Sequence, residues 1–211
     1  MVAQFKLVVL SIFFDYISFN MFKKPVKIGA QNQLSGKDRK TIRNKLVKQF
    51  DADTIETVFG KHDKITCNKV SGSKMLIYIG EDYPLFVDGT GKEDFFPSTY
   101  LCHAYQPLAK TITLNEGVES YIFNGANLMW PGVHDISTLG DFQKDQVVSI
   151  RNSKGFTVAV GAMGCSFDEL KKNADGSGVA VYILHYKGDR LWDMGSKQYP
   201  EVIVEAPEVK A

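Results

Sequence analysis

Asn124-Gly-Ala-Asn-Leu-Met-Trp-Pro-Gly132 is the stretch on which the reading of this 211-residue chain turns. Gly125 and Gly132 permit backbone conformations, or a close approach of neighbouring chain, that a Cβ obstructs, and Pro131 fixes φ just before the second glycine. Met129 and Trp130 read either as core or as exposed stacking platforms, with core favoured for Met129. Short apolar segments follow, parted by Gly and Asp: Val147–Ile150, Phe156–Val160, Val179–Leu184 and Arg190–Asp193. That spacing predicts a small β-barrel. One helix interrupts it, opened by the capping box Ser166-Phe-Asp-Glu169, and Asp175-Gly-Ser-Gly178 makes the turn into the next strand.

The first half reads differently. Ser35-Gly-Lys-Asp38 is a capping signal, and the helix it opens, over 38–50, carries Ile42, Leu46 and Phe50 as a buried stripe. Arg39, Lys40, Arg43 and Lys48 are thereby left to exposed faces. Lys74–Ile79 and Tyr83–Val87 are rich in β-formers around a turn at Gly80-Glu-Asp82, and Pro84 points to an edge strand. Ser98–Tyr105 is a short helix closed by Pro107. The whole predicts an α+β protein: a small α+β domain over 21–110, then a β-barrel domain over 111–197, with 198–211 as a linker or tail.

Hydrophobic content of 44% and charged content of 23% are those of a folding globular chain. The net charge of +1 hides an asymmetry, because residues 21–50 carry nine basic side chains against Asp38, a local +8, while 51–211 sum to −7. Such a run suits a polyanionic partner, RNA or an acidic membrane surface, and reads equally as a solvated helix face. Cys67, Cys102 and Cys165 are odd in number and widely spaced, which favours a reducing compartment over a disulfide framework and offers no zinc pattern. No phosphate-binding loop, nucleophile elbow or HExxH pair occurs, and nothing in the sequence supplies a base to activate a thiol. The chain therefore reads as a non-enzyme without metal or cofactor.

Leu7–Phe14 is an apolar run of eight residues, too short for a bilayer span of about 20. It resembles the core of a secretory signal but lacks a small-residue cleavage site, so 1–20 is read as an extension and Met21 as the native start, with secretion as the alternative.

With those readings in place, the 124–132 string is similar to the Gly-Ala-x-hydrophobic-Met-x-Pro-Gly motif that opens PUA domains. Val158-Ala-Val-Gly161, Ser166, Gly176-Ser-Gly178, Ile183-Leu-His-Tyr186 and Leu191-Trp192 follow in the order of that fold. Phe22-Lys-Lys24, Leu34–Arg43 and Phe96-Pro-Ser-Thr-Tyr100 resemble the domain that precedes PUA in the ligatin family, also called eukaryotic initiation factor 2D. Lys144-Asp145-Gln146 departs from the family's Lys-Gly-Asp. The resemblance implies a cytoplasmic, RNA-binding translation factor that binds the small ribosomal subunit and ribosomal RNA. It also implies placement of tRNA in the P site during non-standard initiation, reinitiation and recycling. A SUI-domain partner chain is implied for domains absent here, and no membrane. The alternative is an accessory subunit of an RNA-modification enzyme. The expected RNA contacts are Lys37, Arg39, Lys40 and Arg43, aided by the Lys23-Lys24-Lys27 arm, together with Gly125, Ala126, Asn127, Met129, Pro131 and Gly132. Arg151 and Lys154 extend that set, with Lys187 and Arg190 beside them.

Overall fold

The computed structural model describes residues 21–172 and 177–205. These fall into two compact units. One comprises Pro25–Ala109 and the segment from Arg190 onward; the other comprises Lys110–Asp189 and the segment ending at Lys24.

In the first unit, β1 (Ile28–Gln33), α1 (Gly36–Leu46), α2 (Ala52–Lys61), β2 (Thr66–Val70), β3 (Leu76–Ile79), β4 (Pro84–Asp88), β5 (Phe95–Pro97) and α3 (Thr99–Ala104) follow one another. The strands form an antiparallel meander in chain order. Ser35 caps α1 as expected: its hydroxyl accepts from Asp38 N at 3.2 Å, and its own N–H donates to the Asp38 carboxylate at 3.4 Å. The helix stops at Leu46, earlier than the expected 50, so Lys48 lies in the turn beyond it. Leu46 is fully buried, and Ile42 and Phe50 pack on the same core, Phe50 against the Phe86 ring at 5.7 Å. Pro84 does not mark an edge strand. β4 lies between β3 and β5, and Pro84 is tolerated there because it is the strand's first residue, next to a register shift.

The second unit contains β6 (Lys110–Thr113), α4 (Glu119–Phe123), β7 (Leu128–Met129), β8 (Val147–Arg151), β9 (Thr157–Met163), α5 (Phe167–Lys172) and β10 (Val179–Tyr186). Its sheet runs β6-β8-β9-β10-β7, parallel between β6 and β8 and antiparallel elsewhere, and curls as a half-barrel. Every residue of β9, the central strand, is buried. Asp145, where the family has glycine, takes φ 63°, a left-handed conformation that Asp tolerates better than most residues. Phe22 is buried with its ring edge-on to His185, itself buried and paired to Asp189 at 2.8 Å. Of the expected turn at 175–178, Asp175 and Gly176 lie outside the described residues, as does 1–20.

Arg190–Asp193 is not a strand. Trp192 begins a 3-10 turn that belongs to the first unit, its indole stacked on Tyr100 at 4.1 Å and 5° while the Tyr100 hydroxyl donates to Trp192 O at 2.7 Å. Nor do residues 198–205 run as a linker. Tyr199 packs on His103 and Trp192, and Val204 pairs with Tyr105. Aromatic surface buried by these contacts holds the segment in place, a long-range effect that the local pattern of Pro and Glu does not register.

Candidate nucleic-acid interface

Helix α1 presents its basic residues unequally. Lys37 and Lys40 are exposed, as α1's amphipathic turn requires. Arg39 instead folds back on the end of α2. Its guanidinium donates to Phe59 O at 2.7 Å, His62 O at 2.7 Å and Asp63 O at 2.8 Å, and lies 5.6 Å from the Phe59 ring centroid. Those carbonyls terminate a helix, where a cation both satisfies the lone pairs and opposes the negative end of the dipole. Arg43 is half-buried and pairs with Glu56 at 2.9 Å. The structure thus separates two exposed lysines, free to meet an anion, from two arginines already engaged within the fold.

In the second unit the loop after α4 gathers most of the expected contacts. Gly125 has φ 86°, and a Cβ there would overlap the Lys23 side chain, which crosses directly over the glycine. One cation of the amino-terminal arm is therefore brought onto the glycine loop. Gly132 has no left-handed backbone; its requirement is clearance alone, since a Cβ would stand 2.9 Å from Leu128 Cδ1 and 3.0 Å from Val118 Cγ1. Asn127 Oδ1 accepts from Ile183 N at 3.0 Å and so anchors the loop to β10, while Ala126 and Pro131 are exposed. Trp130 is core, but Met129 is not: it is 46% exposed, because β7 is an edge strand whose side chains alternate in and out around buried Leu128.

Arg151 is buried at the end of β8, which removes it from any surface patch, whereas Lys154 and Lys187 are exposed and Arg190 pairs with Asp193 in the first unit. The sequence reading passed over two residues, Tyr121 and Phe123 of α4, which are 68% and 37% exposed on either side of buried Ile122. Aromatic side chains are among the groups on which unpaired bases stack in RNA-binding proteins. Their signal was legible as aromatics flanking an aliphatic anchor in a short helix.

Catalytic chemistry finds no support in the thiols, since burial pushes both Cys67 and Cys165 up, away from the thiolate a nucleophile needs. Among the described residues there is no cluster of His, Cys, Asp and Glu suited to a metal ion, and no helix long and apolar enough to cross a membrane.

Two family models match the chain: one described as a Pre-PUA-like domain over residues 22–105, the other as the eIF2D PUA domain over 109–190. Residues 22–105 are a Pre-PUA-like domain and residues 109–190 an eIF2D-type PUA domain. It is 25% identical over 182 residues to translation machinery-associated protein 20 of Saccharomyces cerevisiae, covering 82% of this chain and 98% of that one. Similarity to malignant T-cell-amplified sequence 1 of Danio rerio is 26% over 180 residues, covering 83% and 97%. Human eukaryotic translation initiation factor 2D is 27% identical over 195 residues, 87% of this chain but 32% of that longer protein. The fold matches a hypothetical protein of Pyrococcus horikoshii with a TM-score of 0.62 at 23% identity, over 79% of this chain and 100% of that one. It also matches a PUA domain protein of Thermoplasma acidophilum, with a TM-score of 0.59 at 24% identity, over 78% and 98%. Both domains of the chain are thus shared with proteins named for translation.

Proposed function

We propose that the chain is a non-enzymatic RNA-binding factor that docks on the small ribosomal subunit in the cytoplasm and helps to position tRNA in the P site. In this role it serves non-standard initiation, reinitiation and recycling. The observation that carries the reading is the full-length similarity to short proteins named for the translation machinery, in a chain whose basic segment leaves Lys37 and Lys40 exposed. Phosphate contacts by those lysines supply affinity without sequence preference, and the exposed Tyr121, Phe123 and Met129 around the glycine loop supply stacking surface. A SUI-domain chain, the partner implied by the resemblance to the initiation factor 2D family, belongs to the same proposal. An accessory role in RNA modification has no comparable support, since the full-length relatives bear translation names.

Co-sedimentation with purified small subunits at graded salt tests the proposal. The Lys37→Ala/Lys40→Ala variant should bind more weakly and lower the slope of log K against log salt by roughly 0.7–0.9 for each lost contact. Unchanged affinity and slope would remove α1 from the interface, and no sedimentation of the parent chain would overturn the function.

A further inference from the structure

We propose that the cleft between α1 and α2 is a pocket for one unpaired nucleotide of an RNA strand, a reading that rests on the RNA-binding function above and gives it a defined site. The cleft has a volume of about 280 Å³. Arg39, Lys40 and Arg43 line it from α1, and Glu56 and Phe59 line it from α2. Residues three and four apart on a helix share a face, so each wall is one face of its helix. Two further lining residues, Gly36 and Gly60, have nothing within 4 Å of where a Cβ would sit, and the cleft is open at these positions.

The chemistry of the walls selects the ligand. Lys40 is exposed and offers an ammonium to a phosphate. A bare anion site would not carry a carboxylate in its wall, because two negative charges at contact distance repel. Glu56 is 55% exposed and holds Arg43 through Oε2 alone, so Oε1 is left to accept from a ligand's N–H. Arg39 contributes a third element: its planar guanidinium is held by three carbonyls and lies 5.6 Å from the Phe59 ring centroid, so it is fixed before any ligand arrives. Bases stack on such planes. A nucleotide combines an anionic group, N–H donors and a flat π face. An intact A-form duplex keeps its bases inside the helix and cannot place one in a concave cleft, whereas a bulge or loop can. A phosphoserine or phosphothreonine peptide supplies the anion and the N–H groups but no flat face at the phosphorylated residue, and a phosphotyrosine peptide, which has all three, is distinguished by the competition below.

The test compares two RNA hairpins of the same paired length, each closed by a non-nucleotide linker instead of a loop, one fully paired and one with a single bulged nucleotide, for binding to the full chain by fluorescence anisotropy at one salt concentration. The bulged hairpin should bind roughly tenfold tighter, within the range for stacking of one base on a protein platform. Lys40→Ala and Glu56→Gln should each reduce that preference severalfold, with the thermal melt of each variant confirming that it folds. Equal affinity of the two hairpins would overturn the pocket while leaving RNA binding intact. Failure to bind either hairpin would overturn the RNA reading and the pocket with it. Displacement of the bulged hairpin by a phosphoserine or phosphotyrosine peptide, at concentrations where the unphosphorylated peptide has no effect, would assign the cleft to a protein ligand and overturn the proposal as well.

Discussion

Arg39 illustrates how a surface charge on a helix can be a structural element of its neighbour. Its three hydrogen bonds to the carbonyls ending α2 form where those oxygens would otherwise depend on water, and hydrogen bonds involving a charged group contribute about 1.5–3 kcal/mol. Arg39→Ala should therefore lower the unfolding free energy by about 1–3 kcal/mol in urea titration. Arg39→Lys should restore little, since a single ammonium lacks the planar fork that reaches three carbonyls. A stability within about 0.5 kcal/mol of the parent for Arg39→Ala would place the residue among ordinary surface side chains. Helical periodicity assigned Arg39 to an exposed face, whereas its side chain is partly buried against the end of α2. It gave no account of where a long side chain ends, and the same blindness applies to Lys23, whose tip lies over Gly125. Met129 failed for a different reason: a methionine between Leu128 and Trp130 is ambiguous until the edge strand fixes which of the three faces out.

At the scale of the element, what was legible was what is encoded locally. Ser35 with Asp38, and Ser166 with Glu169, satisfy helix-end N–H groups from within four residues, and both caps form. Pro84 was less informative because its tolerance in a strand depends on whether the partner needs its N–H, which pairing alone decides. A cap not singled out in the sequence, Asp51 at the start of α2, accepts from Thr54 Oγ1 at 2.7 Å and Thr54 N at 2.8 Å. These two bonds, the side-chain one foremost, hold the Asp51 carboxyl below its ordinary value despite the opposing effect of burial. A folded value depressed in this way contributes stability that is fully present above the unfolded pKa near 3.8 and is lost as pH falls through the folded one. Asp51→Ala should cost about 1 kcal/mol at neutral pH, the usual loss on removing a helix cap. The difference from the parent should shrink on acidification to about pH 3, as the parent's own carboxyl protonates. A constant difference across that range, measured by urea midpoints, would mean that the charge of Asp51 has no part in the cap.

For the whole molecule, the consequential feature is the route of the chain, which leaves the first unit at Ala109 and rejoins it at Arg190. The family models end at 105 and 190, so neither contains the returning segment. The barrel-like strands of the second unit were legible because each is a short β-forming run bounded by turns. The return was not, because it depends on Trp192 meeting Tyr100, 92 residues earlier in the chain. That contact is extensive. The two rings stack at 4.1 Å, Tyr83 stacks in turn on Tyr100 at 5.4 Å, Tyr199 meets the indole edge at 5.1 Å, and Lys197 N donates to the Tyr100 hydroxyl at 3.0 Å. Trp192 is 4% exposed, and replacing a buried Trp by Ala costs about 3–5 kcal/mol through lost burial and the cavity left behind. Trp192→Ala should therefore destabilise the first unit although the residue follows the last strand of the second in sequence. Hydrogen exchange resolves the two possibilities peptide by peptide. Protection should fall across β3, β4 and the turn between them that holds Tyr83, and across α3, which holds Tyr100, and stay near the parental level across β8 and β9. Phe142→Ala, which removes a buried ring from the second unit's core, should give the reverse pattern. Loss of protection confined to 110–189 in the Trp192 variant would show that the terminal segment serves the PUA domain after all.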